Sequence, residues 1–354
     1  MQVLPTLALG CLLLPTAAPA QQGERYTLDG DDVAIYNLAG TLTVEPGTGP
    51  VSVTLVRGGT DAARLRVEQG ELDDRETLRV LYPGESIVYT GLEGGSSTTL
   101  KVREDGTFGD GDSERHDRRE RGRTVRVSSR GTGLRAHADL KVRMPAGHRV
   151  SLYLAVGEVS ITNVNGELLV DGHSAPVTAT GTKGTLDLDV GSGPVQVSRA
   201  EGEVNVDTGS GSVQVTEYSG GELSIDTGSG GVTGSQLKAD AIHIDTGSGD
   251  IELTAAASPT LVLETGSGSV GADLRGPVSE LSVETGSGNV SIRAPASLAA
   301  QVEIETASGE IETDFQLQVT RHSRDHVVGR IGDGSGRVAI ETGSGDVRLI
   351  KNPN

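Results

Sequence analysis

Residues 207–215 read DTGSGSVQV, an acidic residue and a threonine followed by a glycine-rich turn and an alternating strand. Nearly the same string returns six times, and the first glycines of successive turns lie about nineteen residues apart until a final gap of 36. A repeat of this length is typical of stacked supersecondary units. The further copies are DTGSGGV at 226, DTGSGDI at 245, ETGSGSV at 264, ETGSGNV at 284, ETASGEI at 305 and ETGSGDV at 341.

Apolar residues come in pairs, two apart, on both sides of each turn. Val204 and Val206 precede one turn, and Val213 and Val215 follow it. Alternation in β-branched residues predicts short strands with one buried face. Two strands and two turns per unit fit either a meander of hairpins or a solenoid. The solenoid is favoured because stacked coils place each residue on its own equivalent, about 4.8 Å away, which explains the strict frame.

The predicted fold is therefore all-β, a single-stranded β-solenoid of about nine coils with an irregular N-terminal β region. The solenoid repeats are assigned to residues 149–354, with an insertion at 314–336 that forms a hairpin covering the last coils. Residues 21–148 alternate like strands but lack the period, and their charged stretch at 105–123 is expected to be a solvated loop.

Residues 1–20 carry no charge, hold an apolar run and end in Ala-Pro-Ala, which predicts a signal peptide. We therefore expect an exported protein, located in the periplasm, on the cell surface or in the medium. The apolar run is too short for a stable transmembrane segment. Because Cys11 is the single cysteine, the mature chain would contain no disulfide.

The composition narrows the classes of partner. A net charge of -19 disfavours nucleic acid and favours solubility or cation binding. Two Phe, six Tyr and no Trp indicate an aliphatic core, and they leave few aromatic platforms for a sugar-processing enzyme.

The repeated turn allows a chemical and a structural interpretation. A glycine-rich loop can cradle phosphate, but no helix and no lysine follow here, so glycine is expected to supply positive φ where a Cβ would clash. The threonine after each acid is expected to form corner hydrogen bonds.

The acid before each turn is the main candidate for function. Stacked carboxylates repel one another, so each is expected either to accept N–H groups of its own turn or to join a row that binds cations, most plausibly Ca²⁺. The candidate metal ligands are Asp207, Asp226, Asp245, Glu264 and Glu284, and no other cofactor is predicted.

Several segments together resemble the bacterial "putative adhesin" family of β-strand-repeat proteins, a domain of unknown function. They are NLAGTLTVEPG at 37–47, DAARLRV at 61–67, LRVLYP at 78–83, ADLKVRMPAG at 138–147 and GSGDVRL at 343–349. The resemblance implies an exported solenoid and supplies no catalytic residues.

The sequence thus predicts a non-catalytic cell-envelope module that binds a protein or glycan surface through a repetitive acidic and threonine face. A periplasmic scaffold or envelope-stress component is one alternative. A carbohydrate-active β-helix enzyme is the other, although a uniform row of acids marks no position as catalytic.

Overall fold

The computed structural model describes residues 23–91, 97–109 and 122–352. The predicted signal peptide and most of the charged loop lie outside these ranges. Within them the chain is all-β, as predicted, apart from one short 3-10 helix at Ala62–Arg64, and no helix is long and apolar enough to cross a membrane. The strands are β1 Glu24–Leu28, β2 Asp32–Gly47, β3 Val51–Gly58, β4 Arg66–Leu72, β5 Arg75–Leu81, β6 Ser86–Val88, β7 Ser97–Val102, β8 Arg123–Ser128, β9 His137–Pro145, β10 Arg149–Thr162, β11 Asn165–Ser174, β12 Val177–Thr180, β13 Lys183–Ser192, β14 Val195–Ser198, β15 Glu201–Ser210, β16 Val213–Ser229, β17 Val232–Thr246, β18 Ile251–Ala257, β19 Thr260–Thr265, β20 Val270–Leu274, β21 Glu280–Thr285, β22 Val290–Ala294, β23 Ala300–Thr306, β24 Ile311–Thr313, β25 Leu317–His322, β26 His326–Ile331, β27 Gly336–Thr342 and β28 Val347–Lys351.

Strands of the repeat region pair in parallel with their equivalents one repeat further along the chain. Asp189 lies opposite Asp207, Asp226 opposite Asp245, and Glu264 opposite Glu284. The offset grows from 18 to 20 residues along the stack, and a register shift between Glu201 and Val204 takes up the first extra residue. The parallel, β-helix-like core predicted from the period is therefore confirmed.

Aliphatic side chains fill the interior of the stack in continuous columns. Val206, Ile225 and Ile244 occupy one such column and are at most 3 % exposed. Because each side chain stacks on its own equivalent, the burial is shared evenly between coils, and large aromatic side chains are not needed to fill the core.

The second glycine of each turn is required by the closeness of the coils. A Cβ on Gly249 would lie 2.2 Å from the carbonyl oxygen of Gly230, and one on Gly268 would lie 2.1 Å from that of Gly249. The expectation of positive φ was wrong for most of these turns, since only Gly193 and Gly345 adopt it at this position. Glycine is selected by stacking contact more than by backbone conformation.

The stack extends into the N-terminal region. β2 pairs in parallel with β10 over Asp32 to Val44, so it continues the same frame before the repeats begin. The chain then departs from the regular repeat until Arg149. On the way it forms β5 and β9 beside β2, the β4–β5 hairpin, and a separate three-stranded sheet of β6, β8 and β7.

At the C-terminal end the spatial order of the coils differs from their order in the chain. β27 pairs with β21 on one side and with β23 on the other, so Val338 lies between Leu281 and Val302. β28 likewise lies between β22 and β24. The last coil in sequence is thus inserted between two earlier ones, and β25 and β26 form an antiparallel hairpin beside β23.

Candidate functional site

The acid before each turn lies on one outer face of the solenoid. We call these side chains the acidic row, and the strand register places them in a single unbroken line. The row includes all five candidate metal ligands from the sequence. In spatial order it contains Asp189, Asp207, Asp226, Asp245, Glu264, Glu284, Glu341 and Glu305.

Almost every member of the acidic row faces solvent, with Glu264 half-buried. Apart from Asp189, no carboxylate of the row accepts a hydrogen bond or forms an ion pair with any residue that the structure describes. The carboxylates therefore have one another as their nearest stacked neighbours, at about 4.8 Å along each ladder.

Partial burial and a neighbouring charge raise the pKa of two acids on this face. Partial burial, and then the charge of Asp226, raise the pKa of Asp207 above its ordinary value of 3.8. Partial burial, and then the charge of Asp207, do the same for Asp187. Both residues still reach solvent, so the electrostatic cost at each position is small.

The expectation that each acid accepts N–H groups of its own turn was wrong. Those N–H groups are used in the ladder to the preceding coil: Gly247 donates to the carbonyl of Thr227 at 2.9 Å, and Gly266 donates to that of Thr246 at 3.0 Å. In a stack, the ladder between coils satisfies the turn backbone and leaves the preceding carboxylate without a local role.

The acidic and amide side chains that follow the turn form hydrogen bonds between coils instead. Asp250 accepts a hydrogen bond from the backbone N–H of Ser269 at 2.7 Å, and Asp346 accepts one from Glu310 at 3.0 Å. Asn289 accepts one from the backbone N–H of Asp346 at 2.9 Å. These side chains tie one coil to its neighbour, a role that the sequence analysis missed.

The threonine next to each acid points inward, and we call this set the threonine column. Its members are at most 4 % exposed, so the predicted threonine part of the binding face was wrong. Corner hydrogen bonding is confirmed for most of them; Thr285, for example, donates to the carbonyl of Gly268 at 2.9 Å. Thr208 and Thr227 have no partner among the described residues. The column contains Thr208, Thr227, Thr246, Thr265, Thr285, Thr342 and Thr306.

Side chains that could hold a metal ion do not converge in the described part of the chain. No group of three or more His, Cys, Asp or Glu residues there has a suitable arrangement. The five candidate ligands, Asp207, Asp226, Asp245, Glu264 and Glu284, form a line, and their binding of Ca²⁺ stays a prediction.

The outward column that holds the acidic row begins with aromatic residues. Tyr36 lies opposite Tyr153, Tyr153 lies opposite Asp171, and Asp171 lies opposite Asp189. The two tyrosine rings stack at 4.3 Å with an angle of 6° between their planes. Reading the frame back by 18 residues from Asp171 would have found Tyr153. Tyr36 is hidden because more than a hundred residues separate it from its stacked neighbour.

A search of solved structures found one similar chain, described as a "putative cell adhesion protein" from Clostridium sporogenes ATCC 15579. The two chains are 10 % identical, the match covers 94 % of this chain and 99 % of the other, and the TM-score is 0.22. Likeness at this level carries no conclusion about function. No curated protein matched the sequence.

The family described as Toastrack DUF4097 matches residues 107–350. This stretch includes every coil from β10 onward, with the acidic row and the threonine column. The resemblance proposed from the sequence is confirmed at the level of a solenoid-like family of unknown function, and the match assigns no adhesive role. The chain belongs to the Toastrack DUF4097 family.

Proposed function

We propose that this protein is an exported, non-catalytic binding module of the cell envelope, a single-stranded β-solenoid of about nine coils whose acidic row is the contact surface. The partner would be a protein or glycan surface that carries repeated cationic groups. One observation supports this proposal above the others: the acidic row is continuous, exposed and unpaired within the described chain beyond Asp189.

The row opposes folding slightly. Two unit charges about 4.8 Å apart repel by about 0.8 kcal/mol in water, and less in salt. The turns, the ladder and the core use other atoms, as the bonds of Gly247 and Thr285 show. A charge that recurs on successive coils from Asp207 to Glu305 without a structural use is best explained by an external partner.

Repetition would turn weak contacts into useful affinity. A single exposed ion pair contributes about 0–1 kcal/mol, which is too little to hold a partner. Contacts at regular spacing on a rigid face act together, and binding through several of them can exceed any one by orders of magnitude. Because all positions of the row are alike, the arrangement suits a repetitive polymer better than a single reacting group.

The test is retention of the full mature chain on chitosan beads compared with chitin beads. These polymers differ in whether the repeated amine is free or acetylated, so they isolate the cationic group. We expect retention on chitosan that is lost as salt is raised, and little retention on chitin. Equal retention on both polymers would contradict the proposal.

A matched pair of variants assigns the effect to the row. Asp207→Asn, Asp226→Asn and Asp245→Asn together remove three charges from it. Asp29→Asn, Glu104→Gln and Asp240→Asn remove three exposed charges elsewhere. We expect the first variant alone to lose retention. Equal losses would show that net charge, not the row, is responsible. Fractionation of cells that express the full sequence tests export.

A further inference from the structure

A cavity of about 250 Å³ lies at the N-terminal end of the outward column, before the column reaches the acidic row. Its floor is the outer surface of β2 and β10, with Tyr36, Ser151 and Tyr153. One wall is the tip of the β4–β5 hairpin, and the other is the segment 103–109 that follows β7.

Aromatic side chains are concentrated around this cavity. Phe108 packs edge-on to the stacked pair, 5.9 Å from Tyr36 and 6.4 Å from Tyr153 between ring centroids. The chain has eight Phe and Tyr residues in total, and three of them meet here. In a core built from aliphatic columns, this cluster is the exception that needs an explanation.

Two guanidinium groups line the same cavity. Arg75 donates from Nε to Asp32 at 2.9 Å and from Nη2 to the hydroxyl of Ser151 at 2.5 Å, and its side chain is 27 % exposed. Arg103 donates from Nη1 to the hydroxyl of Thr107 at 3.1 Å. Both side chains are therefore held in place, and each has more N–H donors than these bonds use.

The nearby acids are a carboxylate on each wall, one beside Arg75, and Asp171, which lies next to Tyr153 in the outward column and close to Gly109. Asp105 accepts from the backbone and the hydroxyl of Thr107, at 3.0 and 2.7 Å, so its Oδ1 is turned to its own loop. Asp32 is bound to Arg75. Asp73 lies at the hairpin tip.

The phenol groups add further donors. Burial, and then the neighbouring Tyr153, raise the pKa of Tyr36 above its ordinary value of 10.0, so this phenol keeps its proton at physiological pH. The cavity thus combines hydrogen-bond donors with aromatic edges. Such a mixture of apolar lining and a few convergent polar groups is typical of small-ligand sites.

We propose that this cavity binds one carboxylated sugar ring, a uronic acid such as glucuronate. A guanidinium group matches a planar carboxylate and can donate two parallel hydrogen bonds to it. Sugar hydroxyls suit the phenols and Ser151, while sugar C–H groups suit the aromatic edges. The volume is slightly below the usual range for drug-sized ligands, about 300–1,000 Å³, and so favours a single ring. No member of the acidic row lines the cavity, so this proposal can fail while the proposed function stands.

The experiment is calorimetric titration of the full mature chain with glucuronate, glucose and acetate. We expect binding of glucuronate, with glucose and acetate each weaker by about tenfold or more, because each lacks one half of the recognised chemistry. Acetate or inorganic phosphate binding as tightly as glucuronate would show a simple anion site. No binding of glucuronate would overturn the proposal.

Two variants locate the site. Arg75→Gln should weaken glucuronate binding by about tenfold or more. Arg348→Gln is the control, since Arg348 makes an exposed ion pair with Glu312 on the last coil and should leave binding unchanged. If Arg75→Gln fails to fold, as judged by circular dichroism, Tyr36→Phe preserves the ring and removes one donor. Unchanged affinity in a folded Arg75→Gln or Tyr36→Phe protein would contradict the assignment.

Discussion

The threonine column and the acidic row occupy consecutive positions of the same turn, yet they lie on opposite sides of the coil wall. Thr285 is 1 % exposed and its hydroxyl bonds to the neighbouring coil, whereas the carboxylate of Glu284 faces solvent and bonds to no described residue. Both positions repeat with equal regularity. Regular repetition therefore has two causes here, because stacking requires the threonines and glycines while nothing in the stack requires the acids.

The glycines that allow the coils to touch should give the largest effect. Gly249→Ala would place a Cβ 2.2 Å from the carbonyl oxygen of Gly230, and we expect it to lower the free energy of unfolding by at least about 2 kcal/mol. Gly221→Ala is the matched control, because no atom lies within 4 Å of its Cβ. Denaturant unfolding of both variants makes the comparison, and an equal effect would refute the close-contact explanation.

The same substitution can be made at two threonines of the column, one whose hydroxyl forms a hydrogen bond and one whose hydroxyl has no described partner. Thr285→Val removes the hydrogen bond to Gly268 and should cost about 1 kcal/mol. Thr227→Val removes a buried hydroxyl that has no described partner, so it should be neutral or stabilising. Thermal unfolding measures both variants. Equal losses would mean that packing of the side chain, not its hydrogen bond, holds the corner.

Removing the acid that follows a turn should lower stability, whereas removing the acid that precedes it should not. Asp250→Ala removes the acceptor of the Ser269 N–H and should cost about 1 kcal/mol, since that donor is left with a weaker partner. Asp226→Ala removes a member of the acidic row and should cost nothing. Hydrogen exchange at Ser269 would locate the first effect. A loss of stability in Asp226→Ala would show an unrecognised local bond.

The pH dependence should be small and opposite in sign to ordinary acid denaturation. Asp187 and Asp207 have raised pKa values in the folded state, so above pH 3.8 the folded chain binds more protons at these positions than the unfolded chain. Their contribution to stability therefore falls as pH rises through the raised values, and is constant above them. The double variant Asp187→Asn and Asp207→Asn should gain in melting temperature relative to the natural sequence as pH rises from 3 to 7. A constant difference over that range would contradict the pKa shifts.

The period and the alternating pairs in the sequence were enough to predict the parallel stack and its aliphatic columns, because each coil must bury the same face on its neighbour. The order of the last coils was beyond such reasoning. Val338 and Ile340 fit against Leu281 and Val283 as well as against Val302 and Ile304, so equivalent repeats do not specify which one is adjacent.

The repeat in the sequence predicts one of the two candidate sites and not the other. The acidic row follows from the frame alone, since its members recur at one position. The cavity at the N-terminal end depends on Tyr36, Arg75 and Phe108, which no repeat relates and which tertiary contacts bring to Tyr153. Local bonds were also misjudged, because an isolated turn offers free N–H groups that the stack has already used.

The most direct test of the central claim, that the acidic row exists for a partner and not for the fold, is the melting temperature of the row variant Asp207→Asn, Asp226→Asn and Asp245→Asn at low salt. The control removes three charges elsewhere, through Asp29→Asn, Glu104→Gln and Asp240→Asn. We predict that the row variant melts at or above the temperature of the natural sequence, and that any increase exceeds that of the control and shrinks as salt is added. A melting temperature clearly below that of both would show that the row stabilises the coils and would contradict the claim.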